Sequence, residues 1–223
     1  MIISFNDVSF TYGKQLILDR ISFSADKGEC VVIAGPNGVG KSTILSLAAG
    51  IFTPNSGSIT APKKVAYVPQ SIPLFEDMTV WSNLKFFADI EKIKMIPPLP
   101  FDVLSYKHMQ VSKLSYGMKR RVSIACALLG DHELILFDEP CNGLDASYRE
   151  ELAELILKLK SEGKAILYVG HDISEYLGFF DRLLLLKNAA LHIYERNRLL
   201  GDISDAEAQK DILASTYKEL YAE

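Results

Sequence analysis

Residues Gly35-Pro36-Asn37-Gly38-Val39-Gly40-Lys41-Ser42-Thr43 fit the pattern G-x-x-x-x-G-K-S/T, and this stretch constrains the fold more than any other. Cys30 to Ala34 before it is a short apolar, β-branched run that reads as a buried strand. Ser42 to Ala49 after it reads as a helix start, apolar at Ile44, Leu45, Leu47 and Ala48. A strand, a glycine loop and a helix N-terminus in that order form a cradle for phosphate groups. Glycine lets the backbone take positive φ and turn its N–H groups toward an anion. Lys41 adds a positive charge for the β- and γ-phosphates, and the Ser42 hydroxyl is placed to ligate Mg²⁺. The candidate nucleotide-binding residues are therefore Gly35, Asn37, Gly38, Gly40, Lys41, Ser42 and Thr43.

A second feature supports the first. Leu134-Ile135-Leu136-Phe137 is an apolar run that ends in Asp138-Glu139. Such a strand buries its apolar part and delivers carboxylates at its C-terminal end, beside a phosphate loop. Asp138 is the candidate metal ligand, with Ser42. Glu139 is the candidate that polarises an attacking water.

The 223 residues suit one large α/β domain, and an apolar content of 48% is enough for a sizeable core. A net charge of −4 gives no nucleic-acid footprint. The basic cluster Lys119-Arg120-Arg121 reads as one solvated helix face. No apolar run reaches the roughly 18–20 residues that span a bilayer, and the N-terminus carries no secretory-signal pattern. Cys30, Cys126 and Cys141 follow no metal spacing and read as reduced, buried small hydrophobes.

Along the chain, strands are predicted over Ile2–Phe5, Val8–Thr11 and Ile21–Ser24, with turns at Gly13-Lys14 and Lys27-Gly28. Short strands follow at Ser58–Thr60 and Val65–Pro69. Met78–Ile90 reads as an amphipathic helix, and Ile96-Pro97-Pro98-Leu99-Pro100 cannot continue one. Helices are predicted over Tyr116–Leu129, Ala146–Lys160 and Asp205–Tyr221. Ala165–Val169 is another buried strand, and Leu183–Leu186 pairs with Leu191–Tyr194. Alternating buried strands and helices imply a mainly parallel sheet covered on both faces.

Further motifs resemble those of ABC-type ATPases, in family order and over nearly the whole chain. Phe10-Thr11-Tyr12-Gly13 resembles the aromatic A-loop, and Val68-Pro69-Gln70 the Q-loop. Leu114-Ser115-Tyr116-Gly117-Met118 resembles the LSGGQ signature, Pro140 to Asp145 the D-loop, and Gly170-His171-Asp172 the switch-histidine motif. The resemblance implies an α/β P-loop fold of ABC type, with an N-terminal antiparallel β subdomain. It implies one ABC ATPase domain over residues 1–223, with a short helical subdomain inserted at about 71–130. It implies ATP and Mg²⁺ as ligands. Tyr12 would stack on adenine, Gln70 would reach the metal or the lytic water, and His171 would position Glu139. Ser115, Gly117 and Asp145 would serve nucleotide bound by a second subunit, in a homodimer or a heterodimer with a related ATPase.

The implied function is ATP hydrolysis that drives a separate integral-membrane permease, with this subunit peripheral on the cytoplasmic face. A soluble assembly ATPase is the alternative class. A GTPase is disfavoured, because no Asn-Lys-x-Asp motif is present. Two departures stand out: Tyr116 replaces a signature glycine and Met118 replaces the glutamine. A Gly-Met ending before basic residues looks like exporter-type ATPases. The proline-rich stretch shortens the helical subdomain, and Phe75, Met78, Trp81, Phe86 and Phe87 are candidates to line a permease groove.

Overall fold

A computed structural model describes residues 1–221. It contains two sheets, the first antiparallel in the order β2-β1-β4, formed by β1 (Ile3–Tyr12), β2 (Gln15–Ala25) and β4 (Ser56–Thr60). The two short strands expected at Ile2–Phe5 and Val8–Thr11 are one strand. Asp7 takes a φ of 49° and the pairing register shifts around it, so the strand bends without ending. Gly57 on β4 passes this bulge closely; a Cβ there would lie 2.3 Å from the Asp7 carbonyl oxygen.

The second sheet runs β5-β6-β7-β3-β8-β9, from β5 (Ala66–Val68), β6 (Leu134–Asp138), β7 (Ala165–Val169), β3 (Cys30–Ala34), β8 (Arg182–Lys187) and β9 (Ala190–Glu195). Its first five members are parallel, and β9 pairs antiparallel with β8. Side chains alternate between its faces. Val32, Ile135, Phe137 and Ile166 join one apolar cluster with Leu152 and Ile156 of α4 (Ala146–Ser161) and Leu213 of the helix Ala206–Tyr221. Val31, Ile33, Leu136 and Leu167 join another, with Ile44 and Leu45 of α1 (Lys41–Ala48) and Phe5 and Phe23 of the antiparallel sheet. Burial on both faces explains why these strands read as unbroken apolar runs.

A third cluster draws only on residues 74 to 129 and joins α2 (Val80–Ile90), two 3-10 turns and α3 (Tyr116–Ala127). Its helices start at side-chain caps: Thr79 accepts from Ser82 N and Ser115 from Met118 N. All three cysteines are free and buried. Arg120, expected on a solvated face, is 1% exposed. Of its neighbours, Lys119 pairs with Glu76, and Arg121 forms a two-pronged pair with Glu151. The helical spacing that puts Ile124 in the core puts Arg120 there too.

Candidate functional site

The C-terminal ends of β3, β5, β6 and β7 deliver the candidate residues to one edge of the parallel sheet, where open α/β sheets bind ligands. A cleft of about 640 Å³ opens there. Tyr12, Asn37, Gly38, Gly40, Lys41, Ser42, Thr43, Gln70, Glu139 and His171 all line it, with Gln15, Ile17 and Asn142. Gly35 lies beneath the loop and is buried.

Gly40 is the N-cap of α1, with φ 115°, and no side chain caps this helix. Its first turn carries no acidic residue. The helix N-terminus therefore offers N–H groups and the positive end of its dipole to an anion. A Cβ on Gly40 would lie 2.6 Å from Ile17 Cγ2, so only glycine fits between the loop and β2. Lys41 folds back, and its Nζ donates to the carbonyls of Gly35 (2.9 Å) and Pro36 (3.0 Å). Burial lowers its pKa, and the carboxylates of Glu139 and Asp138 oppose that shift.

Ser42 Oγ donates to Asp138 Oδ1 at 2.9 Å, and the Tyr67 hydroxyl donates to Asp138 Oδ2 at 3.2 Å. Burial raises the Asp138 pKa, while those two hydrogen bonds pull it back down. Burial, reinforced by the Asp138 charge, pushes the Tyr67 phenol up to about 12. Glu139 has a φ of 48°, unusual for a residue with a side chain. This turn aims its carboxylate along the cleft, where Oε2 accepts from Gln70 Nε2 at 2.9 Å and Oε1 pairs with His171 Nε2.

Tyr12 ends β1 with 48% of its surface exposed. Its ring stands edge-on to Phe10 and Phe52, with centroids 5.0 and 5.7 Å away, at the mouth of the cleft. Ser115, Gly117 and Asp145 do not line the cleft. Ser115 caps α3, and Asp145 caps α4 by accepting from Tyr148 N at 2.9 Å. A Cβ on Gly117 would meet Leu144 at 3.4 Å, which places these two motifs side by side.

Sequence reasoning missed Tyr67 and Arg120. Tyr67 sits on a strand of three residues, too short for alternation to show which side chain turns toward Asp138. The Arg120 guanidinium reaches the backbone behind the cleft, and its helical phase with Ile124 was the available signal.

The donor chemistry fits Mg²⁺. Ser42 and Asp138 offer only oxygen, which suits a hard cation. Among the described residues no group of three or more His, Cys, Asp or Glu side chains could hold a metal by itself. Magnesium is commonly held through one or two protein oxygens with phosphate and water completing the shell.

A family profile described as ABC transporter matches residues 18–142. The chain is 34% identical over 220 residues to the Nod factor export ATP-binding protein I of Sinorhizobium fredii, covering 90% of this chain and 64% of that protein. It is 36% identical over 205 residues to the protein of the same name from Rhizobium etli, covering 83% and 65%. The chain thus spans just under two thirds of the length of these relatives. Among solved structures, an ATP-binding subunit of an ABC transporter is similar at a TM-score of 0.83, with 26% identity and 99% of each chain covered. The dimeric bacterial ABC transporter cassette MJ0796 is similar at 0.73, with 25% identity, covering 87% of this chain and 98% of that one.

Proposed function

The chain belongs to the ABC transporter family, and on that premise we propose that it binds and hydrolyses ATP to drive a separate integral-membrane permease, in the direction of export. The observation that carries this reading is the placement of Glu139. Its carboxylate is held between Gln70 and His171, in the same cleft as Lys41 and the Ser42–Asp138 pair.

In this reading the loop from Gly35 to Thr43 and the α1 N-terminus bind the phosphates. Lys41 leaves its two carbonyls to pair with the β- and γ-phosphates. Tyr12 offers its exposed face to adenine. Ser42 and Asp138 would hold Mg²⁺, which when bound would supply positive charge to the phosphates. Glu139 accepts a hydrogen bond from the attacking water and orients it. Gln70 holds the other side of that water, and His171 positions the Glu139 carboxylate until a γ-phosphate takes over the His171 hydrogen bond.

Ser115, Gly117 and Asp145 stand outside the chain's own cleft, which supports a role toward nucleotide bound by a second copy or a close relative. Among the described residues no helix is long and apolar enough to cross a membrane. The permease surface is assigned to Phe75, Met78, Trp81 and Phe86, which are 36–43% exposed. Phe87, by contrast, packs against the core of the helical subdomain. Such a subunit works on the cytoplasmic face of the membrane. The export direction rests on the Gly117-Met118 ending and on the relatives' names.

Affinity capture of the tagged chain from detergent-solubilised native membranes tests the reading. Recovery of a multi-span membrane protein, together with ATP turnover by the purified chain, is expected. Recovery of soluble partners alone, with the chain absent from membranes, would move the assignment to an assembly ATPase.

A further inference from the structure

Arg120 has no role in the mechanism above, yet it is the largest fully buried side chain described. A guanidinium out of water is costly unless its donors are satisfied. Here they are satisfied by backbone carbonyls. Nε donates to Pro140 O at 3.2 Å. Nη1 donates to Pro69 O at 2.6 Å and Gln70 O at 3.3 Å. Nη2 donates to Asp138 O at 3.3 Å and Glu139 O at 3.4 Å. These carbonyls belong to the two segments that carry the water-positioning residues.

The grip on Glu139 bears on its unusual backbone. A φ of 48° costs energy and persists only where its surroundings hold it. The Glu139 N–H donates to Val169 O at 3.0 Å, and the Glu139 carbonyl accepts from Arg120. The residue is thus pinned from both sides of its own peptide planes. Arg120 sits on α3, whose N-cap is Ser115. The two are five positions apart, about 7.5 Å along a rigid helix.

We propose that Arg120 is a positioning residue that ties the backbones of Gln70 and Glu139 to the signature helix, so that engagement of Ser115 across a dimer sets the hydrolytic geometry of the same chain. Lysine is a poor substitute, because three donors on one nitrogen cannot reproduce five hydrogen bonds spread over three nitrogens and two segments. The proposal rests on the ATPase reading.

The test is a double-mutant cycle on the full chain with Arg120→Lys and Ser115→Ala. Arg120→Lys is expected to lower kcat by about 10- to 100-fold, the loss that a displacement near 1 Å produces. The Kd of a fluorescent ATP analogue should stay within about threefold, since the phosphate loop is untouched. The double variant should be no slower than the slower single variant, because both changes cut one path. Multiplicative losses, or an Arg120→Lys kcat equal to wild type, would overturn the proposal.

If Arg120→Lys does not fold, hydrogen exchange on the intact chain decides. ATP should protect the amides of residues 139–142 in wild type and leave them unprotected in Ser115→Ala; equal protection in both would refute the link. A wild-type chain without ATP turnover would instead sink the ATPase reading itself.

Discussion

Replacing Glu139 with glutamine removes one charge and almost no volume. The side chain is 11% exposed, and its two oxygens serve two neighbours: Oε2 accepts from Gln70 and Oε1 pairs with His171. A glutamine retains one acceptor and turns the other position into a donor. One neighbour therefore loses its acceptor, and no carboxylate remains to orient a water. Loss of a general base costs about 10²- to 10⁴-fold, or about 2.7–5.4 kcal/mol of barrier at about 1.36 kcal/mol per decade. Nucleotide binding should not weaken. Glu139 places a negative charge in the cleft that would receive the phosphates, so its removal lowers the repulsion they meet there. The expected phenotype is turnover reduced at least 100-fold, ATP affinity equal to or tighter than wild type, and an ATP-bound dimer. Phosphate release gives the first, a fluorescent nucleotide titration the second, and gel filtration with light scattering the third. Glu133→Gln, at an exposed surface pair with Lys27, controls for charge alone. Turnover of Glu139→Gln within threefold of wild type would falsify the role given to Glu139.

Other outcomes follow from individual contacts. Gly40→Ala drives a Cβ to 2.6 Å from Ile17 Cγ2 at a φ of 115°, so nucleotide titration should show affinity reduced by about tenfold or more. Tyr67→Phe removes the hydroxyl that steadies Asp138; the Mg²⁺ concentration that half-saturates nucleotide binding should rise by about 10-fold, as it does when a hydrogen bond that orients a metal ligand is lost, with metal-free binding unchanged. Glu91 is held below its usual range, first by a hydrogen bond from Lys64 and also by His132. Its folded pKa lies below the unfolded value of 4.5, so its contribution is fully present above that pH and is lost as pH falls through the lower folded value. Thermal melts from pH 6 to 3 should therefore show a shallower acid loss in Glu91→Gln than in wild type, a small effect of under about 1 kcal/mol because the pair is exposed.

Much of the candidate site is legible in the sequence because its residues follow strands buried on both faces. Leu134–Phe137 and Ala165–Val169 have nothing polar to blur their limits, so Asp138, Glu139 and His171 can be assigned to strand ends. The antiparallel sheet is harder to read. Asp7 and Arg20 take φ values of 49° and 47°, and each bulge shifts the inward and outward alternation by one step. That break makes one strand resemble two and hides residues 15–20 of β2, including Ile17 against Gly40. Arg120 was misplaced for a different reason. Residue type argues for the surface, and only its helical phase with Ile124 argues for burial. A charged residue in a buried phase signals a satisfied functional position rather than a solvated face.

The site's polar groups are already paired with one another. Lys41 is held by the loop's own carbonyls, Ser42 by Asp138, and Glu139 by Gln70 and His171. Lys41 and Asp138 are buried, and buried polar groups need partners, or their desolvation would destabilise the fold. Nucleotide binding therefore exchanges partners within a built site instead of assembling one, and the net gain is only the difference between the two sets of contacts. A phosphate that takes over the Lys41 and His171 contacts releases the loop carbonyls and one Glu139 oxygen together. The freed oxygen becomes the acceptor that a water needs. In the proposed mechanism the same exchange that binds the nucleotide thus also uncovers the base. What the exchange cannot supply is the backbone geometry of Glu139. That geometry is set by the Arg120 clamp on the far side, which is why binding and turnover should separate so cleanly when the clamp is weakened.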